Sequence, residues 1–192
     1  MTGAPAPRDS AVSASPDAAP GGTVNGTVAA AGAIVVLESK MNRSYPPQTE
    51  PPIMDQAGET FSPGVLFVRT GEPVEFRNSD DTLHNVHVGN EETREPAFNV
   101  AIPTGEKYTY TFQKDGFYHV GCDIHPAMSA EILATSTPFA TLAEANGTFS
   151  FADVPPGAYT LRAFSSGRRW QQDLEVRSGV NVVALTDSAG SR

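Results

Sequence analysis

Apolar positions along this chain fall in short alternating or continuous runs, and no helical period is sustained over three turns. Residues 23–28 (TVNGTV) and 33–38 (AIVVLE) are the first two strand candidates, and a loop rich in Pro and polar residues follows (SKMNRSYPPQTEPP). From Ile53 the strand signals become dense. Residues 65–68 and 74–76 flank the turn Arg69-Thr70-Gly71-Glu72-Pro73. Residues 107–112 alternate cleanly, placing Tyr108, Tyr110 and Phe112 on one face and Lys107, Thr109 and Thr111 on the other. Residues 117–122 and 128–133 read as two further strands. A last block, about 137–185, contains GTFSFADVPPGAYTLRAF, WQQDLEV and VNVVAL, with Tyr159, Leu161 and Ala163 alternating with Thr160 and Arg162. The pattern predicts an all-β protein.

Composition refines this picture. The chain has 192 residues, 39% of them hydrophobic, which is enough for one large β domain or two small ones. Its 17 glycines and 16 prolines favour many short strands joined by turns. Residues 1–22 carry almost no large apolar side chain, so they are expected to form a disordered tether. A formal net charge of −9 argues against nucleic acid as a partner, because phosphates require a basic face. No apolar run approaches the length of a transmembrane segment; the longest, around 29–37, is far too short. The start MTGAPAPRDS lacks the basic-then-apolar pattern of a signal peptide. An exported protein would therefore be represented here by its mature part with a start Met added.

The single cysteine, Cys122, rules out an intrachain disulfide, a four-thiolate zinc or iron–sulfur site and a dinuclear copper site bridged by two thiolates. It lies in Gly121-Cys122-Asp123-Ile124-His125-Pro126-Ala127-Met128, a C-x2-H-x2-M run, with Asn78-Ser79-Asp80-Asp81-Thr82-Leu83-His84-Asn85-Val86 upstream. A thiolate, two imidazoles and a weak axial thioether are the donor set of a mononuclear type 1 (blue) copper site. Cys122 at a strand end, a tight turn carrying His125 and Met128, and His84 from another strand could converge on one ion. The soft sulfur donors favour copper, although zinc could also enter such a site.

These two motifs resemble the cupredoxin family. NSDDTLHNV is similar to the upstream histidine motif of plastocyanin-type proteins, and CDIHPAM to the short ligand loops of amicyanin and pseudoazurin; Phe76, Asn78, Asp80 and Val86 also fit the family pattern. The resemblance covers about 53–135 and implies a cupredoxin Greek-key β-sandwich with His84, Cys122, His125 and Met128 as copper ligands. The flanking TVNGTV, AIVVLE and NGTFSFADVPPGAYTLRAF resemble parts of a carboxypeptidase regulatory-like (transthyretin-like) β-sandwich. On that reading residues 23–40 and 137–188 form a smaller, split sandwich, with the cupredoxin, 52–136, inserted. Bacterial proteins of this arrangement are often called methylamine-utilisation-like, a label that carries no evidence of substrate.

The resemblance further implies that Asn85 ties the two ligand segments together and donates its backbone N–H to the Cys122 sulfur, and that electrons leave through the exposed edge of His125. From the residues themselves, Ile124 is not proline, so its N–H could also reach the sulfur, whereas Pro126 has no N–H and stiffens the loop. The charge of Asp123 favours Cu(II). Leu83, Pro126 and Ala127 would form an apolar docking rim. Asp80, Asp81, Glu91, Glu92 and Glu95 are either an acidic patch steering a basic partner or a solvated loop surface. Strand alternation turns His87 and His119 away from the site, and Met54 and Gln56 read as core packing and edge polarity. The function these features imply is one-electron transfer between exported, for example periplasmic, redox partners such as a c-type cytochrome. Copper binding or delivery without electron transfer is the alternative, and an adhesion or carbohydrate-associated module ranks third. No enzyme activity is expected, because four ligands leave no position open to substrate.

Overall fold

The computed structural model describes residues 20–186, which fold entirely as strands and connecting turns. The expected tether, 1–22, lies outside the described residues except at its end. There the Ser178 hydroxyl donates to the Pro20 carbonyl at 2.7 Å and the first strand begins at Gly22.

Seen from the outer layers inwards, β1 (Gly22–Val28) and β2 (Ile34–Ser39) belong to two different sheets. They are completed by five strands from the end of the chain: β12 (Ala140–Leu142), β13 (Thr148–Val154), β14 (Gly157–Ser165), β15 (Arg168–Val176) and β16 (Gly179–Leu185). The sheet orders are β13-β1-β16 and β12-β2-β14-β15. Between these two sheets lies a core that includes Val24, Val35, Leu37, Phe149, Tyr159, Leu161 and Trp170.

The middle of the chain forms a second pair of sheets. Strands β3 (Ile53–Gln56), β4 (Phe61–Ser62), β6 (Pro73–Asn78) and β9 (Lys107–Thr111) are ordered β4-β3-β6-β9. Facing them are β5 (Val65–Arg69), β7 (His84–Asn90), β8 (Pro96–Ile102), β10 (Gly116–Gly121) and β11 (Ser129–Thr135), ordered β5-β11-β10-β7-β8. The parallel pairs β3/β6 and β5/β11 require crossovers between the two sheets, as sandwiches built on non-local pairing do. Their core holds Met54, Phe76, Val86, Val88, Phe112, Val120, Ile132 and, at one end, Cys122 and Met128.

The two sandwiches meet through a third cluster in which Ile34 and Val36 of β2 and Leu133 of β11 pack with Phe117 and Phe164. The Phe117 and Phe164 rings lie edge to face at 5.0 Å between centroids. This explains the unbroken apolar run Ile34-Val35-Val36-Leu37. Val35 and Leu37 face one core while Ile34 and Val36 face the contact between sandwiches, so both faces of the strand are buried. The loop between β2 and β3 also bridges the two. Arg43 donates to the Pro156 carbonyl, Tyr45 packs against Phe139 at 5.6 Å, and the Gln48 N–H donates to Glu72 at 2.8 Å.

Gln56 departs from the expected edge role. Strand β3 has a neighbour on each side, so Gln56 is fully buried, its Nε2 donating to the Arg77 carbonyl at 2.9 Å.

Candidate metal centre

His84 is the first residue of β7, and Cys122 directly follows β10. These strands are antiparallel neighbours, with Gly121 opposite His87, so the sheet itself brings the start of β7 to the end of β10. Between Cys122 and β11 the chain makes a closed turn. The Met128 N–H donates to the His125 carbonyl at 2.9 Å, and the Cys122 N–H to the Met128 carbonyl at 3.3 Å. His84, Cys122 and Met128 are buried, and His125 is half-buried.

The donor atoms converge. Nδ1 of His84 and Nδ1 of His125 are 2.9 Å apart, and the Cys122 sulfur is 3.9 Å from the first and 4.0 Å from the second. A sulfur and a nitrogen bound 120° apart at typical first-row metal–ligand lengths would be separated by about 3.8 Å. The two sulfur–nitrogen sides therefore have the length that one metal ion requires. Met128 lies in the same core cluster as Cys122, on the turn that both close.

The surroundings prepare each donor. Nε2 of His84 lies 2.8 Å from Oδ2 of Asp80. The same carboxylate accepts the N–H groups of Gly58 and Glu59, which together with His84 hold it below the usual carboxylate range. A carboxylate only accepts, so Nε2 carries the hydrogen and Nδ1 presents its lone pair to the centre. Burial lowers the affinity of His84 for a proton, but Cys122 and Asp80 outweigh it and the net shift is upward.

Burial raises the Cys122 thiol. The backbone N–H groups of Asn85, His125 and Ile124, with the His84 ring, more than offset it and bring the pKa down to about 7. The Asn85 side chain links the two ligand segments. Its Oδ1 accepts the Asp123 N–H at 2.7 Å and the Cys122 thiol at 3.3 Å, and its Nδ2 donates to Asp123 at 3.0 Å and Asn99 at 2.8 Å. Asn78, buried beneath the histidine loop, donates to the carbonyls of Thr82 and Ile102, both at 2.8 Å, and accepts the Asp80 N–H at 3.0 Å.

Several sequence expectations change here. Asp80 is not part of a surface patch, because its carboxylate is committed to His84 and two backbone amides. Glu91, Glu92 and Glu95 lie beyond the far end of β7, roughly 20 Å along the strand from His84. They therefore cannot form one acidic patch with Asp81. The only trace in the sequence of the partnership between Asp80 and His84 is an acidic residue four positions before a candidate ligand.

Residues 53–134 match the model of the copper-binding proteins of the plastocyanin/azurin family. This segment is a cupredoxin domain. Among solved structures, an oxidized amicyanin variant is 24% identical over 45% of this chain and 84% of its own, with a TM-score of 0.41. A purple cupredoxin from Nitrosopumilus maritimus is 20% identical over 44% of this chain and 99% of its own, TM-score 0.39. A copper-containing nitrite reductase from Thermus scotoductus is 29% identical over 52% of this chain but 25% of its own, TM-score 0.42. No curated protein matches the chain. The family binds copper, and the His-Cys-His cluster of this cupredoxin domain fits a mononuclear type 1 copper site.

Proposed function

We propose that this protein is a one-electron carrier whose copper would be held by His84, Cys122, His125 and Met128. The observation that carries the reading is the convergence of two imidazole nitrogens and one thiol on a space the size of a single ion, at the edge of a packed core. Copper would supply the one-electron couple; the residues hold its surroundings fixed. Asp80 fixes the ring of His84, Asn85 locks one ligand segment to the other, and the sheet holds Cys122, so little rearrangement accompanies a change of charge. Amide N–H groups aimed at the sulfur draw off electron density and favour the reduced state, whereas Asp123 acts oppositely.

Electron exit through His125 is supported by its partial exposure beside Leu83 and Ile124, which are 46% and 47% exposed. With Pro126 and Ala127, both exposed, they form an apolar rim suited to brief docking of a redox protein such as a c-type cytochrome in an exported compartment. The carrier reading is preferred to copper delivery because three of the four proposed ligands are buried and preorganised. We further propose that residues 23–40 and 137–188 are a split carboxypeptidase regulatory-like sandwich around the cupredoxin domain, an assignment supported by their separate core.

The test is an optical and EPR spectrum after stoichiometric Cu(II) addition. An intense visible thiolate-to-copper band with narrow copper hyperfine splitting is expected. A folded protein that lacks this band would overturn the carrier reading.

A further inference from the structure

His87 and His119 point away from the cupredoxin centre, on the outer face of β7 and β10. In the register of these strands His87 is opposite Gly121 and His119 is opposite Gly89, which makes the two histidines diagonal neighbours with glycines at the other two corners. Diagonal positions on one face are roughly 7–8 Å apart, within reach of long side chains. The glycines leave the space between them open. The His119 ring leans into it, since a Cβ placed on Gly121 would meet Nε2 of His119 at 3.5 Å. His119 therefore reaches the level of the chain that His87 occupies on the neighbouring strand. Both histidines line one surface depression of about 640 Å³, together with Gly89, Arg94, Gly121 and Asp123.

The His87 ring is also oriented. Nδ1 lies 3.0 Å from Oδ1 of Asp123, while Oδ2 of that carboxylate accepts from Asn85 at 3.0 Å and Asn99 at 2.8 Å. The anchored carboxylate can only accept, so Nδ1 carries the hydrogen and Nε2 keeps a free lone pair. A carboxylate–histidine pair of this kind orients many metal-ligating imidazoles. We propose that His87 and His119 form a second, surface metal site, binding a divalent transition-metal ion through their imidazole nitrogens with water completing the shell. Imidazole donors in an open site suit copper(II) best among such ions. The ion would sit behind Cys122, which borders the same depression, and its positive charge would favour the reduced state of the first centre.

The test is copper stoichiometry and EPR on the metal-free full chain after excess Cu(II) and removal of unbound metal. Two ions per chain are expected, one giving the visible band and one a wide hyperfine pattern without that band. The double variant His87→Gln/His119→Gln should fall from two ions to one while keeping the visible band. A wide-hyperfine ion that lacks the visible band in the unmodified protein and is lost in the double variant would mean that the type 1 reading fails while the second site stands. Absence of a wide-hyperfine ion in the unmodified protein, or its persistence in the double variant, would overturn the site.

Discussion

Asp80 and His84 are joined through the ring nitrogen that faces away from the donor cluster, at 2.8 Å, and Asp80 is itself anchored by the N–H groups of Gly58 and Glu59. The short turn after β3 thus helps determine the orientation of a ring proposed as a copper ligand. Asp80→Ala would remove the acceptor that fixes both the tautomer and the angle of His84. Copper affinity is expected to fall about 10–100-fold, the usual cost of losing such a partner, with the visible band retained at saturating copper. Competition against a copper chelator measures this; an unchanged affinity would show that core packing alone orients His84.

Much of the cupredoxin domain was legible in the sequence. The alternation in 107–112 and the strand ending at Cys122 correspond to β9 and β10, because each turns alternate residues into the core of the sandwich. His87 and His119 fall on the outer face for the same reason. The misreadings arise where distant segments supply contacts. Asp80 looks like a solvent-facing charge until the turn at Gly58 folds back over it, and Gln56 looks like an edge residue until β3 gains partners on both sides. Local pattern carries the strand period, but not which loops will meet.

Replacing Cys122 with serine tests the sulfur. The side chain is buried, and an oxygen in place of sulfur changes its volume little, so the fold should persist. The intense visible band should vanish altogether, since it requires a thiolate. Circular dichroism alongside the optical spectrum distinguishes loss of the band from loss of the fold.

Met128→Leu separates axial tuning from packing. Met128 is 2% exposed within the core cluster, and a Met-to-Leu exchange conserves volume, so stability should fall by less than about 1.5 kcal/mol. Removing a weak donor to Cu(II) should raise the reduction potential. Voltammetry of the copper-loaded variant reads the shift; a large fall in potential would argue against an axial role.

The thiol of Cys122 should titrate near neutrality in the metal-free protein. Its pKa is lowered from 9.0 to about 7, so the folded state binds fewer protons than the unfolded chain between those values. The resulting stabilisation is complete above 9 and is lost as pH falls through 7. His84 works in the opposite direction, because its raised pKa stabilises the fold at low pH and that contribution fades as pH rises. The cleanest observable is therefore the ultraviolet thiolate absorbance of the metal-free protein, with a midpoint expected near 7. A midpoint near 9 would mean that the amides of Asn85, His125 and Ile124 do not reach the sulfur.

A last substitution asks whether the outer sandwich and the copper-binding sandwich depend on each other. Gly26 lies in β1 under the ring of Phe149, and an added Cβ would come within 2.1 Å of the ring's Cζ. Gly26→Ala must displace a buried aromatic side chain, at a cost of about 1–3 kcal/mol. Of the proposed ligands, Cys122 and Met128 belong to the other core, and all four are held by its sheet and loop, so the visible band should survive unchanged below the melting transition. Thermal unfolding followed by both far-ultraviolet circular dichroism and the visible band gives the answer. If only the circular dichroism transition moves to lower temperature, the sandwiches unfold as separate units. If both signals fall together, the cluster of Ile34, Val36, Leu133, Phe117 and Phe164 couples the two into one cooperative fold.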